Sequence, residues 1–247
     1  MNYADIKPNK YGSKMKIVKY INYHNVVVNF IDYDYEVKTS YRCFLSGAVK
    51  CPYDKIVYGN GFIGVGKYKS KEGNSMTKQY QIWKDMLRRC YDDKFHKKHP
   101  TYKDCEVCDE WLNFQNFAKW YDKNYYKIEN EQMHLDKDIL IKGNKIYSPE
   151  TCVIVPQVIN DLFVKNNKSR GGLPIGVTFD KSRNKYIGQC KKGNMKSTKR
   201  FDNIDEAFYF YKTNKENYIK YIAEKYKNKI PSKLYYAMLN YEVEITD

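Results

Sequence analysis

The chain has 247 residues, 42% of them hydrophobic and 30% charged, which excludes intrinsic disorder and allows one large domain or two to three small ones. Forty-four Lys and Arg against 29 Asp and Glu leave a formal net charge of +15, which points to a polyanionic partner because cations set on phosphates release condensed counterions. No apolar run approaches the roughly 18 residues of a membrane helix, the start MNYADIKPNK has no apolar signal core, and seven Cys form no paired framework, so reduced thiols in a cytoplasm are expected.

The N-terminal third reads as β. Met15–Tyr20 alternates, Val26–Tyr33 is β-branched and aromatic, and Glu36–Leu45 alternates again, with turns at Asn22–Asn25 and Asp32–Asp34. A small barrel or meander is predicted over about residues 13–66. Gly59, Gly61, Gly64 and Gly66 match a phosphate-cradling loop poorly, since no Gly-Lys-Ser/Thr follows in register. A helical block comes next. Tyr80, Trp83, Leu87 and Tyr91 recur at three-to-four spacing in one stretch, and Trp111, Phe114, Phe117, Ala118 and Tyr121 in another. Core packing explains both stripes.

Residues from Met133 to about Lys168 read strand, loop, strand, helix. HLDKDIL is the first strand with its polar exit, KGNKIYSPE the loop and TCVIV a buried strand. Pro156 fits a first helical position before QVINDLFVKNN. The last block reads as two strands around a turn at Asp180–Asn184 and a third near Thr198–Phe201. A helix capped by Asp202 or Asn203 follows. The positive charge concentrates here: from Lys165 to Arg200, eleven Lys and Arg face only Asp180.

The strand–loop–strand–helix stretch resembles the ββα unit of bacteriophage HNH homing-type endonucleases, on YSPETCVIVPQVIN, on the first-strand Asp136 and on Asn144 at the loop. The resemblance implies metal ligation by Asp136 and Asn160, with Asp138 available on the same face. A Mg²⁺ or Mn²⁺ ion would take these oxygen ligands. Lys137 stands where such enzymes carry the general-base His. Lysine is almost fully protonated at neutral pH and suits phosphate neutralisation instead. His134, two residues before Asp136, points to the same strand face and takes the base role. The same residues also suit a hydrogen-bonded surface pair and a turn.

The final block resembles the ethylene-response-factor-type DNA-binding domain, on Gly176-Val177, on Phe179 to Tyr186, on Phe201 and on Asp205-Glu206-Ala207. The resemblance implies three strands in the major groove, with Arg170, Lys181, Arg183, Lys185, Gln189, Lys191, Lys192, Lys199 and Arg200 on DNA. A plain solvated sheet face fits the same pattern. Together the two resemblances cover about residues 133–225. Cys105 and Cys108, near Cys90, His96 and His99, form a single CxxC among core signals, so zinc is not expected.

The expectation is an α+β protein in three parts. Residues 1–68 form a β-rich module of unassigned role, 69–168 a helical block with the HNH-like unit, and 169–247 a sheet-plus-helix DNA-binding domain. Its function would be metal-dependent nicking or cleavage of duplex DNA in a bacterial host cytoplasm, as a monomer or homodimer. The alternatives are a catalytically inactive DNA binder serving regulation or counter-defence, and an inhibitor aimed at a host protein target.

Overall fold

The computed structural model describes residues 5–164, 171–192, 195–245 and 247, and of residues 192 and 195 the backbone alone. It is mixed α and β, built from several small sheets. Two compact units divide it: residues 1–123 with 145–148, and 124–144 with 149–247. The second strand and the helix of the ββα stretch share one core with the C-terminal helices, through Val153, Val155, Ile159, Ile219, Ile222 and Leu234.

The first unit opens on a four-stranded antiparallel sheet in sequential order. Its strands are β1 (Lys7–Pro8), β2 (Lys14–Asn22), β3 (Asn25–Phe30) and β4 (Tyr35–Thr39). Met15, Ile17, Val26, Val28 and Phe30 alternate into the core, as the period-two pattern requires. Both predicted hairpin turns form, and Asp34 takes the left-handed conformation after the Ile31–Tyr33 turn. Two strands end earlier than the sequence pattern predicts. β3 stops at Phe30. The third strand, expected to run to Leu45, stops at Thr39, because the Ser40 side chain accepts from Cys43 N and caps a short helix, α1 (Tyr41–Leu45).

Helix α2 (Lys78–Tyr91) is capped by Thr77 and buries Trp83, Met86, Leu87 and Cys90. It is followed by α3 (Asp93–Lys98), α4 (Asp109–Leu112) and α5 (Phe114–Asn124). The stretch expected as one helix breaks at Asn113. There the backbone turns extended so that Leu112 O and Phe114 N can bond Phe62, while Asn113 Oδ1 caps Gln115 N. Trp83 Nε1 donates to Trp111 O at 2.7 Å, which ties the two helical stripes into one core.

The glycine-rich loop is a packing device. A Cβ at Gly61 would lie 2.3 Å from Leu87 Cδ1 and 2.9 Å from Trp83 Cζ2. Gly61→Ala is therefore expected to lower stability by roughly 1–3 kcal/mol, read as a lower midpoint in urea, because the buried tryptophan cannot retreat.

The second unit contains β5 (Met133–Asp136) paired antiparallel with β6 (Val153–Pro156), then α6 (Gln157–Asn160). Pro156 ends β6 as the helix N-cap, one place earlier than expected. The predicted eleven-residue helix closes after one turn: Leu162 N bonds Ile159 O and Phe163 N bonds Asn160 O, both i→i+3. Three strands follow, β7 (Val177–Asp180), β8 (Lys185–Lys192) and β9 (Met195–Phe201), antiparallel in the order β7–β8–β9. Asn203 then caps α7 (Ile204–Tyr226), and α8 (Ser232–Leu239) packs against it.

Candidate nucleic-acid interface and metal site

The β7–β8–β9 sheet has two chemically different faces. Gly188 lies against the helix: a Cβ there would come within 2.4 Å of Ala207 O, so only glycine lets α7 approach this closely. Val177, Gly188 and Cys190 are buried on this side. By strand alternation and register, Lys185, Ile187, Gln189 and Lys191 project from the other face, with their β9 partners Arg200, Thr198 and Lys196. Lys191 sits directly opposite Lys196. Like charges so placed are destabilising on their own.

One corner of the open face is organised by Asp180. Its carboxylate accepts from Ser182 Oγ at 2.7 Å and pairs with Arg183 and Arg200, each at 3.3 Å. The Ser182 hydroxyl, Arg200 and Arg183 hold its carboxyl down at about 2. The two arginines are thereby oriented and partly neutralised. Lys185 pairs with the exposed Asp202. Lys181 is exposed in the β7–β8 turn.

Lys199 does not join Arg200. It pairs with Gly188 in the ladder and so belongs to the helix side, where its Nζ lies 5.4 Å from the Phe201 ring. There it borders an apolar cavity of about 700 Å³ with Phe201, Tyr209 and Phe210. Arg170, with Lys165 and Lys168 of the basic cluster, and the Lys192 side chain fall outside the described residues. Sequence reasoning missed Lys196 and Thr198, which counting back by twos from Arg200 would find.

In the ββα stretch, Met133 and Leu135 are buried and His134 and Asp136 occupy the other face of β5, as alternation predicts. Val153 and Val155 are the register partners of Asp136 and His134 and share a core with Ile159 of α6. The helix therefore covers the face that carries His134 and Asp136, and Asn160, its last residue, is half-buried.

Asp136 Oδ1 accepts from Asp138 N at 2.9 Å and Ile139 N at 2.7 Å, closing the turn after β5. Burial and the like charge of Asp138 push its carboxyl up to about 6, against the pull of those two amides and Lys137. Asp138 is exposed.

Lys137 is only 7% exposed. Its Nζ donates to Asn144 O at 2.7 Å and to Asp138 Oδ2 at 3.2 Å, while Asn144 Nδ2 returns a 2.7 Å bond to Lys137 O. This reciprocal clasp closes the 137–144 loop, which turns through Gly143 at φ +78°. A phosphate contact by Lys137 would have to break it.

Among the described residues no three His, Cys, Asp or Glu side chains gather as a metal cage. The donors at hand, a carboxylate and a side-chain amide, suit an ion of the Mg²⁺ class, which keeps waters and takes few protein oxygens. A divalent cation would also relieve the charge held at Asp136. Elsewhere, Cys105 Sγ is directed at Thr101 O, His96 Nε2 lies 2.8 Å from Arg89 O and the His99 ring stacks on Phe95. No helix among the described residues is long and apolar enough to cross a membrane. No protein-family model matches the chain, and no curated protein or solved structure matches it.

Proposed function

We propose that this chain binds duplex DNA through the open face of its C-terminal sheet and nicks or cleaves it at the Asp136 site, in the manner of an HNH-like endonuclease. The observation that carries the DNA half is the Lys191–Lys196 pair, set opposite each other on a face that also bears Lys185, Gln189 and Arg200. An intervening phosphate turns that repulsion into attraction.

The nuclease half rests on the donor set. Asp136 and Asn160 would hold Mg²⁺ or Mn²⁺, which when bound stabilises charge on the leaving phosphodiester oxygen. His134, on the same strand face, receives the proton of the attacking water. Lys137 keeps the loop closed, so that the Asp136 carboxylate stays in place.

A second reading, a nuclease-derived DNA binder without turnover, is favoured by the same Lys137: a buried cation follows Asp136 where a base would be useful. Regulation or counter-defence against a host target are the roles open to it. Supercoiled plasmid in Mg²⁺ or Mn²⁺ separates the readings. The nuclease reading expects conversion to open circles, slowed roughly 10²–10³-fold in Asp136→Ala with DNA affinity retained. Equal rates in the two proteins would remove Asp136 from the chemistry. Salt-sensitive binding with no nicking in either metal supports the second reading, and weak, salt-insensitive binding sinks both.

A further inference from the structure

We infer that the outer face of the N-terminal sheet is a second DNA-contacting surface, with a lysine row for phosphates and an apolar hairpin end for sugars and bases. The inference rests on reading the chain as a DNA binder. It assigns a task to a module for which sequence offered none.

Register builds the row. Lys14 and Lys16 point away from the core between Met15 and Ile17. A regular strand would next place Val18 outward and Lys19 inward. The shift between Ile17 and Lys19 prevents this. Ile17 pairs with buried Val28, but Lys19 pairs with Val27 and returns to the outer face. Val27 in turn pairs with Lys38, which places a further outward cation across Val27 from Lys19. Successive outward positions repeat about every 6.8 Å along a strand, a usable spacing for backbone phosphates. Opposing acids are few. Glu36 lies across Asn29 from Lys16, and Asp34 at the far turn bonds Asn29 Nδ2 at 3.2 Å.

The bulges also expose apolar groups. Val18 and Ile21, the two residues that the register skips, are 43% and 51% exposed. Tyr23 at the hairpin tip is 49% exposed, yet it is held firmly: Tyr41 N donates to Tyr23 O at 2.9 Å, and its ring meets those of His24 and Tyr41 edge-on. A ring held in place yet half-exposed at the hairpin tip offers a base a stacking surface.

The test is binding of the full chain to a fluorescent 30-base-pair duplex (a probe length of about three helical turns) across a salt series. Lys16→Ala/Lys19→Ala/Lys38→Ala is compared with Lys191→Ala/Lys196→Ala. The first variant should flatten log K against log salt by about 2.7, or 0.9 for each phosphate no longer neutralised. Tyr23→Ala should weaken binding roughly fivefold or more at unchanged slope. An unaltered slope in the triple variant overturns the inference. If only the Lys191/Lys196 variant loses slope, the DNA reading stands without it. If the unmodified chain shows no salt-dependent binding, both fall.

Discussion

Asp54→Ala should cost the N-terminal sheet about 3–5 kcal/mol, the largest loss of stability expected from a single side chain outside the aromatic cores. Asp54 is 3% exposed in the irregular segment after α1. Its carboxylate accepts from Asn9 Nδ2 at 2.9 Å, Ser13 Oγ at 2.6 Å and Cys51 N at 3.0 Å. Asn9 extends the network, donating to Val49 O and accepting from Tyr11 N and Ser13 N. One carboxylate thus joins the start of the sheet to a loop some forty residues later. Alanine would strand three donors where water does not replace the missing oxygen. Urea unfolding followed by tyrosine fluorescence reads the effect, and a change below about 1 kcal/mol would mean that the network is dispensable.

Asp136→Asn is expected to do the opposite at neutral pH: stabilise the protein while slowing metal-dependent nicking. The wild-type carboxyl titrates near 6 when folded and near 3.8 when unfolded, because burial and Asp138 oppose its charge. Between those values the folded state holds the extra proton, so the native form loses stability as pH rises from 3.8 through 6. Asparagine removes that loss, and its Oδ1 still accepts from the amides of Asp138 and Ile139. At 1.36 kcal/mol per pH unit the gain is about 2–3 kcal/mol at pH 8 and disappears near pH 4. Thermal unfolding at pH 4, 6 and 8 checks it, and an equal gain at all three would exclude charge burial as the cause. Millimolar Mg²⁺ should raise the melting point of the wild type and leave the variant unchanged.

Local patterns are readable wherever a local rule decides the outcome. The Tyr80, Trp83, Leu87, Tyr91 stripe forms α2, and alternation places His134 with Asp136, because helical and strand periods need no distant partner. Errors come where another segment competes. Asn113 leaves its helix so that its neighbours can pair with Phe62, and the helix after Pro156 ends after one turn. The Ser40 cap is legible in principle: a serine before YRCFL is a helix start as good as the strand it interrupts.

By itself the sequence determined the positive excess, its concentration between Lys165 and Arg200, and the strand–strand–strand–helix order around it, since charge is additive and turns and caps act over a few residues. Tertiary structure alone decided that Lys137 is buried in a loop clasp, that Lys199 faces α7 while Arg200 faces away, and that a bulge returns Lys19 to the lysine row. Each of these depends on which residue stands opposite in another strand or loop, and a shift of one position exchanges the two faces.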